Sequence, residues 1–261
     1  MSAPTLVTVD DVRAAADRLR GSIMRTPLIP APWADPQRPL WIKPESLQVI
    51  GAFKVRGALN AIGRIDPDVA TAKVAPHAAA LDACYSEQLG RRRWLGGSVE
   101  LTWAVAADGA LTSVHVARSD LGAWPIEKCL LDVAAGVAFG KPQGRGKAEV
   151  TFPLAFSGGS AAMPWDDTQA ARAVGGKPSE LAACAKAGGG DPANVTITIY
   201  VGTRGKVQSV GFAAPTPLAP AWADCAAAKV SAWTLTDPRG KVAKLAYLYH
   251  PMATADDDSE D

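Results

Sequence analysis

The sequence predicts an α+β fold, in which a partial α/β segment precedes two tandem α-β-β-α-β modules. Each module is expected to be a three-stranded antiparallel sheet with two helices on one face. Three observations support this prediction: part of the chain repeats itself, both copies contain alternating apolar residues, and each copy carries two cysteines. The expected boundaries are 1–69 for the N-terminal segment, 70–158 for the first module, 159–175 for a linker, 176–251 for the second module and 252–261 for an acidic tail.

The N-terminal segment has the pattern of an α/β fragment. Thr8, with Asp11 three residues later, is an acidic variant of a capping box and predicts the start of a helix. Leu40-Trp-Ile-Lys43 is a candidate strand, and apolar spacing predicts a second helix between Gly51 and Gly63. The intervening prolines exclude a long helix there; they are Pro27, Pro30, Pro32, Pro36 and Pro39.

The internal repeat covers most of the remaining chain. Residues 99–152 align without a gap with residues 195–248, at a constant offset of 96. Upstream, Leu81-Asp-Ala-Cys84 matches Leu181-Ala-Ala-Cys184 at an offset of 100. The four-residue difference falls in a loop, where a change of length costs little. We therefore interpret the copies as a duplicated module that runs helix, strand, strand, helix, strand.

The strands of the modules are predicted from alternation. Apolar residues occupy every second position of 99–105 and 195–201, which is the period of a half-buried strand. Gly109 and Gly205 are equivalent and stand where a tight turn needs a residue that tolerates a positive φ. The last strand of the first module is predicted from a further alternation of Val150, Phe152, Leu154 and Phe156.

The four cysteines fall two to a module, with Cys84 and Cys129 in the first and Cys184 and Cys225 in the second. In each module one cysteine lies on each predicted helix, so the pair could meet if both helices pack on one face. A disulfide there would contribute about 4 kcal/mol by loop-entropy arguments. The bond is the expectation for an oxidising compartment, and two buried thiols are the alternative for the cytosol. Zinc is not expected, because neither Cys-x-x-Cys nor a paired histidine spacing occurs.

Charge and hydropathy exclude several function classes. The chain has 27 Lys and Arg against 26 Asp and Glu, and this balance argues against a nucleic-acid partner. No apolar run approaches the ~18 residues of a membrane-spanning helix. The N-terminus lacks the basic start and apolar core of a secretory signal, which predicts a cytoplasmic protein. The acidic tail is expected to be a disordered, solubilising end; its charges are Asp256, Asp257, Asp258, Glu260 and Asp261.

The stretch Lys43-Pro-Glu-Ser-Leu-Gln-Val-Ile-Gly-Ala-Phe-Lys54-Val-Arg-Gly-Ala58, preceded by Arg25-Thr-Pro-Leu28, resembles fold-type II pyridoxal-phosphate enzymes of the threonine/serine dehydratase kind. The resemblance covers about residues 5–67. It implies that Lys54 forms the Schiff base with the cofactor in a lyase of small hydroxy amino acids. The glycine-rich loop that holds the cofactor phosphate in such enzymes is not found, since Gly188–Gly190 falls in a predicted turn.

Residues 78–157 and 180–250 resemble the TonB-type C-terminal domain, in the version found in myxobacterial gliding-motility proteins. Val150-Thr-Phe-Pro-Leu-Ala-Phe156 and Glu127-Lys-Cys129 carry this resemblance best. It implies a non-catalytic periplasmic module whose exposed last strand pairs with a strand of a partner protein. Two hypotheses therefore compete. One is a tandem interaction module, without cofactor, fused to an incomplete dehydratase N-terminus; the other is a pyridoxal-phosphate-dependent lyase that uses Lys54.

Overall fold

The structure, a computed structural model, describes residues 8–61, 65–143 and 146–251. These ranges confirm the predicted α+β class. Gly63 and Gly144, and the acidic tail expected to be disordered, lie outside the described residues. The helices are α1 (Val9–Arg18), α2 (Lys54–Ala61), α3 (Pro67–Val74), α4 (Ala78–Leu89), α5 (Trp124–Ala134), α6 (Asp167–Val174), α7 (Ala185–Gly188) and α8 (Pro220–Ser231). The strands are β1 (Ile29–Pro30), β2 (Trp41–Ile42), β3 (Gly97–Val105), β4 (Leu111–Ser119), β5 (Ala148–Phe156), β6 (Met163–Pro164), β7 (Val195–Val201), β8 (Val207–Ala213) and β9 (Ala243–Tyr249).

The chain divides into two compact units. The first comprises Met1–Asp66, Val105–Ala110 and Phe139–Glu149, and the second comprises Pro67–Ala104, Leu111–Ala138 and Val150–Asp261. Most of both predicted modules therefore falls in the second unit. The turn between β3 and β4 and the loop before β5 are grouped with the N-terminal segment.

The first unit contains α1, α2 and a two-stranded sheet. β1 and β2 pair antiparallel, with Ile29 opposite Ile42, so the predicted strand at 40–43 is present. Helix α1 begins directly after Thr8, and α2 lies inside the predicted helical range. Many large apolar side chains between residues 9 and 53 are nevertheless exposed, so this segment buries little core. They are Val9, Val12, Met24, Leu28, Ile29, Trp33, Leu40, Trp41, Ile42, Leu47, Val49, Ile50 and Phe53.

The first sheet of the modules has the strand order β4-β3-β5. The apolar face predicted for β3 is buried, since Val99, Leu101 and Trp103 are all inaccessible to solvent. The indole nitrogen of Trp103 donates to the carbonyl of Ala134 at 2.8 Å, which satisfies its only donor and ties β3 to the end of α5. Central β3 therefore anchors the sheet, while β4 and β5 are its edges.

The second sheet has the strand order β6-β9-β7-β8. Strand β7 pairs antiparallel with β8 and with β9, as the sequence predicts. A fourth strand, β6, was not predicted: it pairs parallel with β9 through Met163 and Ala243. Both β6 and α6 lie within 159–175, where the sequence predicts a linker. Helix α6 begins with a complete capping box between Asp166 and Gln169, a signal that could have located it.

The cysteines pair within the modules. Cys84 on α4 is bonded to Cys129 on α5, and Cys184, in the 3₁₀ helix before α7, is bonded to Cys225 on α8. The Cα–Cα distance is 5.7 Å in both bonds. The prediction of one disulfide per module is confirmed, and the alternative of buried thiols is not realised.

The gapless alignment of the repeat fails at the last strand. Ala148 and Val150 are buried in β5, and Ala243 and Leu245 are buried in β9, so equivalent positions there differ by 95 rather than 96. The loop before β5 is thus one residue longer than the loop before β9. Because successive strand residues point to opposite faces, a slip of one residue would expose the buried side chains.

Candidate functional site

Lys54, the lysine implied by the dehydratase resemblance, is the first residue of α2, and its side chain is exposed. The apolar side chains that precede it are exposed as well, at 73% for Val49, 61% for Ile50 and 65% for Phe53. The described residues of the first unit therefore leave Lys54 on an open surface rather than in a desolvated pocket.

The other residues of the dehydratase-like stretch form a polar network centred on Glu45. The Arg56 guanidinium donates to both carboxylate oxygens, from Nε at 2.7 Å and from Nη2 at 2.9 Å, and the Thr26 hydroxyl donates at 2.7 Å. The hydrogen bond from Arg56, followed by that from Thr26, lowers the pKa of Glu45 to about 2. The network ties the segment around Thr26 to α2, which is a structural role for Glu45 and Arg56.

Gln48 extends this network by clamping the backbone of Met24. Its amide nitrogen donates to the Met24 carbonyl at 2.7 Å, and its amide oxygen accepts from the Met24 N–H at 3.1 Å. The Lys43 ammonium donates to the carbonyl of Thr26 at 2.8 Å. The conspicuous polar residues of the stretch thus hold the segment together, whereas Lys54 takes no part.

A pyridoxal-phosphate site needs a cradle of backbone N–H groups for the phosphate as well as a lysine. The glycine run of the chain, at 188–190, serves another purpose in the second unit. A Cβ on Gly188 would lie 2.6 Å from the Cβ of Trp222, and Gly189 ends α7 in a left-handed conformation. The described residues of the first unit place no glycine-rich cradle beside Lys54.

A groove of about 310 Å³ lies in the second unit between β5 and the helices α3 and α4; we call it the β5 groove. Phe152, Leu154 and Phe156 form its strand side and are half-buried, because they point to the sheet face that the helices only partly cover. The Phe156 ring stacks on Tyr85, with 4.8 Å between the ring centroids. The helix side is lined by Thr71, Val74, Ala75, Ala78, Leu81 and Asp82.

Strand β5 is an edge, because within the described residues its sheet continues only through β3. Pro153 stands inside it, and a proline is tolerated in a strand where its missing N–H faces away from the neighbour. Thr151 and Ala155 direct their backbone groups to the same side as Pro153. The outer edge of β5 therefore offers N–H and C=O groups at Thr151 and Ala155, and only a carbonyl at Pro153.

The corresponding surface of the second module differs. β6 occupies the outer side of β9 at Ala243 and Lys244. Farther along β9, a groove of about 450 Å³ is lined on its helix side by Ala170 and Ala171 of α6, and on its strand side by Tyr247 and Leu248. Strand β9 is also shorter, with seven residues against nine in β5. The open edge beside a lined groove is therefore longer in the first module, because β6 covers the start of β9 and β9 is the shorter strand.

Comparison with known proteins finds that one stretch of the chain is similar to part of an enzyme. It is 43% identical over 63 residues to an L-threo-3-hydroxyaspartate ammonia-lyase of Pseudomonas sp. The match covers 23% of this chain, which spans about a fifth of the length of that curated relative, 20%. The chain thus contains a stretch similar to part of an ammonia-lyase. No family model matches the chain, and no solved structure matches it.

Glu127 is buried, which the sequence did not predict. It lies on α5 with no exposed surface, and its carboxylate accepts hydrogen bonds from the Ser119 hydroxyl and the Phe212 N–H, both at 2.7 Å. The backbone N–H groups of Gly122 and Ala123 also donate to it. Burial raises the pKa of Glu127 to about 7, against the opposing effect of these bonds. The equivalent position of the second module is Ala223, so comparing the two copies does not single out Glu127 as a buried polar residue.

Other kinds of site are not seen in the described ranges. Residues 8–61, 65–143 and 146–251 hold no group of three or more His, Cys, Asp or Glu residues placed to bind a metal ion. In the same ranges, no helix has the length and apolar character needed to cross a membrane.

Proposed function

We propose that the two modules form a non-catalytic protein-interaction unit, which binds an extended segment of a partner protein along the outer edge of β5. The observation that supports it is the coincidence of a free strand edge with the β5 groove. Strand addition takes affinity from main-chain hydrogen bonds and specificity from pockets that receive alternate side chains. The TonB-like pattern of Val150–Phe156 points to the same use of the last strand.

The chemistry of the partner follows from the two parts of this surface, the backbone edge of β5 and the β5 groove. Its backbone can exchange hydrogen bonds with Thr151 and Ala155 but receives none from Pro153, which has no N–H. Side chains must therefore supply much of the affinity. The aromatic and aliphatic lining of the β5 groove, with Phe152 and Leu154, calls for apolar residues at alternate positions of the partner segment.

The experiment titrates the full-length protein with a synthetic hexapeptide of alternating valine and lysine. Backbone amide shifts are followed by NMR, and the affinity is measured by calorimetry. We expect the largest shifts at Thr151 and Ala155, and binding about tenfold weaker in Leu154→Asp, because a buried carboxylate opposes apolar docking. Leu248→Asp, on the exposed face of β9, is the matched control and leaves binding unchanged. Shifts confined to β9, or equal effects of the two variants, would contradict the proposal.

The likeness to an ammonia-lyase favours a second candidate, a pyridoxal-phosphate-dependent lyase of hydroxy amino acids with Lys54 as the cofactor-binding lysine. Its test is the absorbance of the full-length protein after addition of pyridoxal phosphate, followed by borohydride trapping and peptide mapping. Lys73→Ala, an exposed lysine of α3, serves as the control for Lys54→Ala. Because Lys54 stands on an open surface, we expect no preferential trapping there. A trapped product lost in Lys54→Ala and kept in Lys73→Ala would favour the lyase over the interaction module.

A further inference from the structure

The two modules meet through equivalent elements. β4 lies against β8, where the Ala214 N–H, just past β8, donates to the Val116 carbonyl at 3.0 Å. Helices α5 and α8 also begin at equivalent positions, Trp124 and Pro220. Lys128 on α5 forms a 2.8 Å ion pair with Asp224 on α8, and these two residues are themselves equivalent at the offset of 96.

Contact between equivalent positions is the mark of a two-fold arrangement. In an isologous interface the same patch is used by both partners, and residues near the axis meet their own counterparts. Lys128 and Asp224 do so between α5 and α8, while β4 and β8 do so between the sheets.

We infer that the modules pair about an approximate two-fold axis, which runs between α5 and α8 and between β4 and β8, and that the partner which this surface fits is a second module of this kind. Around that axis the contacts are one-sided, because α5 and the loop before it pack on β8 and β7 of the second module. The inference does not depend on the proposed function. The chain is in this sense an internal dimer. The noncovalent contacts between the modules hold them together, and the segment that connects them is not required for this.

Buried polar contacts make the interface specific. Glu127 of the first module reaches the Phe212 N–H of the second, and the Ser209 hydroxyl donates to the Gly122 carbonyl at 2.7 Å. A Cβ on Gly211 would lie 2.4 and 2.5 Å from the carboxylate oxygens of Glu127, so this approach requires glycine. These groups are inaccessible to water and are satisfied by the other module, so separation would leave them in need of new partners.

The rest of the contact covers the second sheet. A Cβ on Gly122 would lie 2.8 Å from the Thr198 methyl and 3.0 Å from the Tyr200 ring, so the loop before α5 rests on β7. The Tyr200 hydroxyl donates to the Gly96 carbonyl at 2.8 Å, and Lys244 pairs with Asp120 at 3.0 Å. For this reason β7 is buried on both faces, although its alternation alone predicts a half-buried strand.

The test cleaves the folded protein between the modules. A protease recognition sequence is inserted after Ser160, at the exposed pair Ser160-Ala161, and the cut protein is examined by size-exclusion chromatography with light scattering. Both disulfides are internal to a module, so they do not join the pieces after cleavage. We expect the pieces to elute together; separation of the pieces of the otherwise unaltered protein would overturn the inference.

Two sets of variants of the cleavable protein sharpen the result. Gly211→Ala is expected to raise the dissociation constant of the pieces at least tenfold, whereas Gly176→Ala, whose Cβ meets nothing within 4 Å, leaves it unchanged. Lys128→Asp places two carboxylates at equivalent positions and is expected to weaken the pair about threefold, and Lys128→Asp with Asp224→Lys to recover part of that loss. Equal behaviour of the two glycine variants, or no recovery in the charge exchange, would contradict a paired interface at these positions.

Discussion

The carboxylate of Glu127 accepts a hydrogen bond from the backbone N–H of Phe212, 85 residues later in the chain and in the other module. The neighbouring residue, Gly211, has no side chain to obstruct the approach. This contact places a fully buried ionisable group at the interface between the two modules.

The first prediction concerns pH. Burial raises the pKa of Glu127 to about 7 in the folded protein, above the ordinary value of 4.5 for a glutamate. The folded state therefore binds more protons than the unfolded state between those values. The contribution of Glu127 to the free energy of unfolding is therefore full below pH 4.5, and it is lost as the pH rises through 7. At 1.36 kcal/mol per unit, the loss in unfolding free energy is on the order of 3 kcal/mol.

The measurement is denaturant unfolding of the wild type and of Glu127→Gln at several pH values across this window. The variant is expected to lose the slope between pH 4.5 and 7, because an amide does not titrate in this range. Glu87→Gln, on the exposed face of α4, should keep the slope. An unchanged slope in Glu127→Gln would assign the pH dependence to another group.

The second prediction concerns the disulfides, which close sequence separations of 45 and 41 residues. Each is expected to stabilise its module by about 4 kcal/mol. Thermal unfolding with and without a reductant, in the wild type and in Cys84→Ser/Cys129→Ser, measures this contribution. Thiol titration of unfolded, unreduced protein prepared in an oxidising compartment should detect almost no free thiol, and detection of four would remove the prediction.

The third prediction concerns the turn glycines. Gly205 has φ +71°, and a Cβ there would lie 1.9 Å from the Leu235 carbonyl oxygen. Gly205→Ala is therefore expected to lower the unfolding free energy by about 2 kcal/mol or more. Gly176→Ala, at an open position with φ −81°, is the control and should change it little. Equal midpoints for the two variants in chemical denaturation would show that the backbone at Gly205 can rearrange freely.

The fourth prediction concerns Glu45, whose pKa of about 2 comes first from the hydrogen bond with Arg56. Arg56→Gln should raise this pKa toward 4.5, observed by NMR titration of the carboxyl carbon. A depressed pKa stabilises the folded protein above pH 4.5, and this contribution disappears as the pH falls through about 2. Arg20→Gln, which removes an exposed pair with Asp17, should leave Glu45 unaffected. An unshifted Glu45 in Arg56→Gln would mean that Thr26 alone sustains the low value.

Local patterns in the sequence predicted the buried face of β3 and the glycine turns of both modules. The alternation at 99–105 gave the buried face of β3, and Gly109 and Gly205 do adopt positive φ, at 93° and 71°. The cysteine pairs followed from the duplication. The slip at the last strand could not be predicted, because adding one residue to a loop changes no local pattern.

What the sequence could not predict depends on contacts between distant residues. Glu127 is buried because Gly211 and Phe212 approach it. No pattern in the sequence around Glu127 predicts contact with these two distant residues. The edge and groove at β5 were partly foreseen, because the last strand was expected to be exposed. The groove itself depends on α3, which has few apolar positions and therefore no clear helical period in the sequence.

Pro153 has a consequence for how copies of this protein behave at high concentration. An uninterrupted, flat strand edge is a template on which identical chains can add without end, as they do in fibrils. A ring that lacks the amide proton breaks that template in the middle of β5. The edge of β5 is therefore a poor seed for self-propagating aggregation.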